Sequence, residues 1–192
     1  MLEDWLRAVV ETPGLTAIAD LEEARKHLLE DSLRGLEVVC ELEGPIVDVG
    51  SGGGVPGIPL ASSLPDREVT LLEATRRKVD FLEQWTQRLP NLRVVWGRAE
   101  EQETDRFGVA VAKALAPPAV ALEWCLPLVA PGGGAILWVG ESADASVLAA
   151  IAEQLGSRRP EVRDGLLVFP KLRPTPPGFP RRVGVARKRP LT

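Results

Sequence analysis

Apolar positions along this chain gather into five short runs separated by stretches that read as helices. The runs are Pro45 to Val49, Glu68 to Leu72, Leu92 to Trp96, Val109 to Lys113 and Ala135 to Val139. Each has strand length, and the leading run is apolar without strict alternation, as in strands buried on both faces of a parallel sheet. Between and after them, Gly57 to Leu64, Thr75 to Leu89, Pro118 to Leu128 and Ser142 to Leu155 are predicted helices. The second is the clearest, with Val79, Phe81, Leu82 and Trp85 on an apolar side and Arg76, Arg77, Lys78 and Arg88 left to solvent. Pro65-Asp66 and Pro90-Asn91 punctuate the pattern, and Pro131-Gly132-Gly133-Gly134 is the expected turn into the fifth strand. Successive strand–helix units predict a doubly wound, mostly parallel α/β sheet with helices on both faces.

Two further helices precede this pattern, Leu2 to Val10 and Asp20 to Leu36, broken at Pro13-Gly14. Asp20 is the expected N-cap, with Glu23 at the capping-box position. Together they are expected to form a small helical cap over residues 1–42. Arg159 to Val162 and Leu166 to Phe169, joined across Asp164-Gly165, read as an antiparallel hairpin at one edge of the sheet. The hairpin completes a main domain at 43–172. The last segment, Pro174 to Thr192, holds five prolines in nineteen residues. It is expected to form neither helix nor central strand, and to lie extended over the surface or hang free.

The first strand runs straight into Gly50-Ser51-Gly52-Gly53-Gly54, with a helix to follow. Glycines there let the turn adopt positive φ and bring backbone amides close to a ligand. A phosphate-binding P-loop needs Lys and Ser or Thr after its last glycine, whereas Ile58-Pro59 follow Gly57, which excludes it. A dinucleotide fingerprint is present as Gly52, Gly54 and Gly57, with Glu73 about 20 residues on. An S-adenosylmethionine loop, Asp-x-Gly-x-Gly-x-Gly, fits Asp48, Gly50, Gly52 and Gly54 without a gap. A dehydrogenase also needs a proton-relay group, and this chain has no tyrosine and a single histidine, His27, upstream of the domain. The methyl-donor loop is therefore the better fit, and S-adenosylmethionine is the expected cofactor.

Charge changes the picture at one end only. The net charge of −4 argues against bulk electrostatic binding of nucleic acid. Yet no acid follows Asp164, while Lys171, Arg173, Arg181, Arg182, Arg187, Lys188 and Arg189 follow it. A basic arm on an acidic body suits a polyanion reached from one side, or is simply a solvated tail. Cys40 and Cys125 stand alone, without metal-ligand spacing, and are expected to be small buried residues of a cytosolic protein. No apolar run approaches the ~20 residues of a membrane span. The start, Met-Leu-Glu-Asp-Trp, carries acids where a signal peptide carries bases.

Ligands of such a sheet sit beyond the carboxyl ends of its strands, so the residues there are the candidates. Glu73 ends strand two, where a carboxylate can accept both ribose hydroxyls of a donor. After strand three, Gly97-Arg98-Ala99-Glu100 offers a small residue and an acid suited to an adenine face and edge. Lys113 closes strand four as a cation near the methyl to be transferred. Strand ends and loops also carry merely solvated Lys and Glu, and that alternative stands for Glu100 and Lys113.

These residues and their neighbours resemble the RsmG (GidB) family of small-subunit ribosomal RNA guanine-N7 methyltransferases. The likeness covers nearly the whole chain. It includes Leu15-Thr16-Ala17-Ile18, His27-Leu28-Leu29 with Asp31-Ser32-Leu33, Asp48 to Pro59, and Leu71-Leu72-Glu73. It continues through Lys78-Val79-Asp80-Phe81-Leu82, Gly97-Arg98-Ala99-Glu100, Lys113-Ala114-Leu115-Ala116-Pro117, Leu126-Pro127-Leu128 with Pro131-Gly132-Gly133, and Thr175 to Gly184. The resemblance implies a class I, Rossmann-like S-adenosylmethionine-dependent methyltransferase fold. It implies donor contacts at Gly50, Gly52, Val55, Glu73, Ala99, Glu100 and Lys113, with Lys113 also catalytic. It places Arg181 and Arg182 against RNA and implies no metal. The expected partner is 16S ribosomal RNA or the small subunit, met by a cytoplasmic monomer. Lys113 stands where the family usually has arginine, Gly108 where it has aspartate, Val139 where lysine is common and Gly14 where asparagine is usual. Glu30 is an extra residue between the histidine and aspartate matches. Two alternatives remain: a methyltransferase of small molecules or proteins, and an inactive fold that binds donor or RNA without turnover.

Overall fold

The computed structural model describes residues 1–139 and 145–192 and gathers the strands into one seven-stranded sheet. These are β1 (Ile46–Val49), β2 (Val69–Glu73), β3 (Leu92–Trp96), β4 (Phe107–Lys113), β5 (Val129–Trp138), β6 (Glu161–Arg163) and β7 (Leu166–Pro170). Their order is β3-β2-β1-β4-β5-β7-β6. The first five are parallel, and β7 pairs antiparallel with both β5 and β6. Asp164 and Gly165, both at positive φ, make the tight turn of the hairpin. Strand order reverses between β1 and β4, which opens a crevice beyond their carboxyl ends.

The helices are α1 (Leu2–Glu11), α2 (Leu21–Ala24), α3 (Asp31–Leu33), α4 (Leu36–Cys40), α5 (Gly57–Ser63), α6 (Arg76–Glu83), α7 (Pro118–Cys125), α8 (Ala145–Gln154) and α9 (Val185–Lys188). The predicted start of α8 at Ser142 lies outside the described residues. Period-two geometry sorts the strand residues into two cores. Val109, Val111, Leu166 and Val168 join one cluster; Ala110, Ala112, Leu167 and Phe169 join the other. Both faces are apolar, which is why the runs read as continuous. Trp124 and Leu122 of α7 and Ile151 of α8 pack into the second cluster. The first cluster takes Ile58 and Leu60 of α5 and Phe81 of α6, together with Trp5, Leu6 and Val9 of α1 and Val38 and Val39 of α4. The N-terminal helices therefore complete one face of the sheet and share its core.

Three elements depart from the sequence prediction. The expected single helix over Asp20–Leu36 begins as predicted, with Asp20 Oδ1 accepting from Glu23 N–H at 2.8 Å. It then widens into a π-helix at Arg25–Glu30, where Asp31 N–H reaches back to Lys26 O. One residue added to a helix turns everything after it by about 100°. A π turn absorbs that residue locally, and Glu30 falls inside it. The helix then breaks at Gly35, where a Cβ would stand 2.4 Å from Trp138 Cζ2.

In the second departure, β4 starts at Phe107 and β5 at Val129, so Pro131 to Gly134 belong to a strand and not to a turn before one. The β4–β5 register shifts between Phe107 and Val109. A Cβ on Gly133 would lie 2.0 Å from Gly108 O, and one on Gly108 only 1.7 Å from Glu43 O. Glycine at 108 is thus a packing requirement of this backbone.

The third is the C-terminal segment, which is neither extended nor free. Residues 181–189 contain no proline, and after Gly184 (φ +79°) they wind into α9, burying Ala186. Lys171, expected in a solvated basic arm, is buried instead; burial lowers its ammonium to a pKa of about 8. Cys125 is buried as expected, but Cys40 is exposed. Among the described residues, no helix is long and apolar enough to cross a membrane.

Candidate active site

The glycine loop is built from β1 outward by backbone hydrogen bonds. Gly50 N–H donates to Leu72 O at 2.7 Å and Gly54 N–H to Ser51 O at 2.7 Å, while Ser51 Oγ donates to Asp48 O at 2.9 Å. Gly50 takes φ +71°, and a Cβ there would sit 2.2 Å from Leu115 Cδ1. The N-terminal helix holds the outer side of the loop, where Trp5 Nε1 donates to Gly53 O at 2.9 Å.

Glu73 sets the loop against β2. Its Oε2 accepts from Gly52 N–H at 3.0 Å and its Oε1 from Thr75 N–H at 2.7 Å. An ionised carboxylate offers about four acceptor positions. Each oxygen therefore keeps one for a ligand. Glu73 lines a cavity of about 330 Å³ together with Gly50, Thr75, Ala99, Glu100 and Leu115. This brings together four of the residues picked out in the sequence, Gly50, Glu73, Ala99 and Glu100. Gly52 is linked to them through Glu73.

Others fall elsewhere. Val55 does not line the cavity and packs toward the first core cluster. Lys113 shares the strand parity of Val109 and Val111, so its side chain lies on the cap face of the sheet. There Nζ pairs with Asp31 Oδ2 at 2.9 Å and donates to His27 O at 2.6 Å across the π-helical turn. The residue after it, Ala114 at φ +53°, carries the chain back to the cavity wall. Lys113→Ala is accordingly expected to leave S-adenosylhomocysteine affinity within about twofold while lowering stability by about 1–3 kcal/mol. Calorimetry and urea denaturation measure the two, and a tenfold affinity loss would return Lys113 to the cavity. Arg181, expected to face RNA, is committed to the protein: it donates to both oxygens of buried Glu123 and, at 2.9 Å, to Arg189 O. Arg182 is exposed.

Two cavity residues, Trp124 and Arg187, were not singled out by the sequence. Trp124 reads there as part of an apolar helix, and Arg187 as one charge among seven. A second cavity of about 440 Å³ shares Ala114 and Leu115 with the first and is walled by Pro117, Trp138, Val139 and Leu148. Among the described residues, no three His, Cys, Asp or Glu side chains could hold a metal ion.

Asp48 lies fully buried under the loop. Its Oδ2 accepts from Gly57 N–H at 3.0 Å, and Oδ1 has no partner among the described residues. Burial pushes its carboxyl from 3.8 up to about 7, against the hydrogen bond from Gly57, with the charge of Glu73 adding to the rise. An acid with a raised folded pKa binds more protons when folded, so stability falls as pH rises from about 4 to 7. Asp48→Asn keeps an acceptor for Gly57 without the charge. It is expected to match the parent near pH 4 and exceed it by about 1–3 kcal/mol at pH 8. A pH-independent difference in urea denaturation would refute the assignment.

A switch-point cavity, a positive-φ glycine loop with room for a donor, and an acceptor carboxylate at the end of β2 define a class I S-adenosylmethionine-dependent methyltransferase. Its fold is shared, at 16% identity and a TM-score of 0.57, by a 1,6-didemethyltoxoflavin-N1-methyltransferase from Burkholderia thailandensis solved with S-adenosylhomocysteine; the match covers 76% of this chain and 78% of that one. A TehB-like S-adenosylmethionine-dependent methyltransferase from Corynebacterium glutamicum matches at 21% identity and a TM-score of 0.53, over 73% and 86% of the two chains. Residues 2–157 match the sequence model of the family described as GidB, rRNA small subunit methyltransferase G, and the chain belongs to that family. It is 37% identical to the ribosomal RNA small subunit methyltransferase G of Symbiobacterium thermophilum, over 98% of this chain and 87% of the relative. It is 36% identical to that of Moorella thermoacetica, over 93% and 82%.

Proposed function

We infer that this protein transfers the methyl group of S-adenosylmethionine to N7 of a guanine in small-subunit (16S) ribosomal RNA. The observation that carries the inference is family membership along almost the full chain, joined to a cavity whose residues suit the donor. Glu73 would take the ribose hydroxyls, Gly50 and Gly52 the close backbone approach, and Ala99 and Glu100 the adenine side. When bound, the donor supplies an electrophilic methyl carbon whose bonding pair returns to sulfur as the N7 lone pair attacks. Guanine N7 carries no proton at neutral pH, so the chain needs no general base, and neither cavity has a histidine or tyrosine wall. Its residues act by alignment.

We place the guanine in the second cavity, where Leu115, Pro117 and Trp138 offer apolar walls beside the donor. A base can reach it only from a single-stranded loop or by leaving its stack. Exposed Arg182, Lys188 and Arg189 would meet phosphates at the rim. In this scheme the cap (1–42) orders the loop, the body (43–172) holds donor and base, and the extension (173–192) faces RNA. The protein would act as a monomer in the cytoplasm, where ribosomal subunits are assembled.

The test uses donor labelled in its methyl group, incubated with the protein and either deproteinised 16S RNA or small subunits. Label recovered as 7-methylguanosine after digestion is the expected result. Label in another nucleoside, or none in either RNA, would defeat the proposal.

A further inference from the structure

Among the residues around the donor cavity, two come from α7 and α9, far along the chain from the glycine loop. Arg187 of α9 and Trp124 of α7 both line it, with the guanidinium carbon of Arg187 5.3 Å from the centre of the indole ring. The pair is held in place from several directions. Glu100 Oε1 accepts from Gly184 N–H at 3.2 Å, directly before α9. Arg181, a turn earlier in the segment, clamps Glu123, the neighbour of Trp124 on α7. Ala186, beside Arg187, is buried.

The Arg187 guanidinium has unused hydrogen-bonding capacity at this wall. Among the described residues, Trp124 Nε1–H is buried without an acceptor. No acceptor among the described residues pairs with the Arg187 guanidinium, so its five N–H donors are available to a ligand. Free guanidinium donors beside an aromatic ring at one cavity wall match a ligand that is rich in acceptors. Adenine nitrogens and ribose oxygens are such acceptors, and the acidic residue nearest this wall, Glu100, marks the adenine side of the donor in the assignment above.

We propose that the C-terminal segment forms a wall of the donor site, and that Arg187, laid on Trp124, is a donor-binding residue that recognises the adenosine half of S-adenosylmethionine. This rests on the donor placement under the proposed function. It gives the basic segment a second duty: one of its cations faces the cofactor, while the others face RNA.

The test is calorimetric titration of the full-length protein with S-adenosylhomocysteine and with 5′-methylthioadenosine, which lacks the amino-acid end. Arg187→Ala removes the side chain, and Arg187→Met keeps an apolar stem across Trp124 while removing the donors. Both are expected to weaken both ligands by about tenfold to 150-fold, the range of one hydrogen bond carrying a charge. Melting temperatures should stay within a degree or two of the parent, because Arg187 is exposed. Affinities within twofold of the parent for both variants would overturn the proposal. So would a loss confined to S-adenosylhomocysteine, since that would place Arg187 at the amino-acid end. If the unmodified protein bound neither ligand, the donor placement itself would fall, a result distinct from failure of the Arg187 assignment alone.

Discussion

Glu73→Ala is expected to weaken S-adenosylhomocysteine binding by about 30- to 1000-fold, the equivalent of 2–4 kcal/mol. Two losses add. A ligand loses the carboxylate acceptors for its ribose hydroxyls, each charge-assisted and worth more than a neutral hydrogen bond. The glycine loop loses its tie to β2, because Gly52 N–H and Thr75 N–H both end on this one carboxylate. A loop no longer held in its binding conformation must be ordered at each binding event, and that cost appears in the affinity. Glu73→Gln separates the contributions. Its single carbonyl oxygen can hold Gly52 or Thr75 but offers neutral acceptance to the ligand, so an intermediate loss of about tenfold is expected. Calorimetry of both variants decides the matter. Affinity unchanged in Glu73→Ala would remove the residue from the site and show that the loop keeps its binding conformation without the tie.

What the sequence made legible follows the range of the interactions involved. The loop and Glu73 could be read because strand, glycines and acid lie close together in one βα unit, and their geometry is local. Lys113 is legible as a strand end, and Val109, Val111 and Lys113 share one strand face by simple alternation, but which face carries the cap is set by long-range packing. The basic arm misled more thoroughly. Counting charges gives their number but not their partners, and Glu123 lies 58 residues before Arg181. The π-helical turn shows the converse, since an extra residue was visible as Glu30 and only the structure shows how a wider turn absorbs it. Pro131-Gly132-Gly133-Gly134 reads as a turn from sequence; in the structure it lies inside β5, where close backbone approach requires glycine at 108 and 133.

Lys171 carries the largest expected effect on stability. Its ammonium, buried beneath the C-terminal segment, donates to Leu126 O and Leu155 O at 2.9 Å each and to Thr175 Oγ1 at 3.0 Å. Asp105 lies 3.9 Å away and accepts from both Thr175 N–H and its hydroxyl, the latter at 2.9 Å. One side chain thus ties the end of α7, the end of α8 and the start of the extension into one knot. Lys171→Ala would leave Leu155 O without its ammonium donor, Leu126 O with Val129 N–H alone, Asp105 without its cation, and a cavity where the stem had been. Each of these is costly alone, and the expected total is about 3–5 kcal/mol in urea denaturation. Lys171→Met fills the space and removes the desolvated charge, so it should cost less, about 1–3 kcal/mol. Because the ammonium's folded pKa lies near 8, below its ordinary 10.5, the folded state holds fewer protons between those values. The parent should therefore gain stability as pH rises from 8 toward 10.5, and both variants should lack that gain. Freed from its anchor, the extension should also be cut by trypsin at Arg182 faster than in the parent. A Lys171→Ala protein within 1 kcal/mol of the parent would show that the segment is held without Lys171, by Asp105 on Thr175, Glu123 on Arg181 and Glu100 on Gly184.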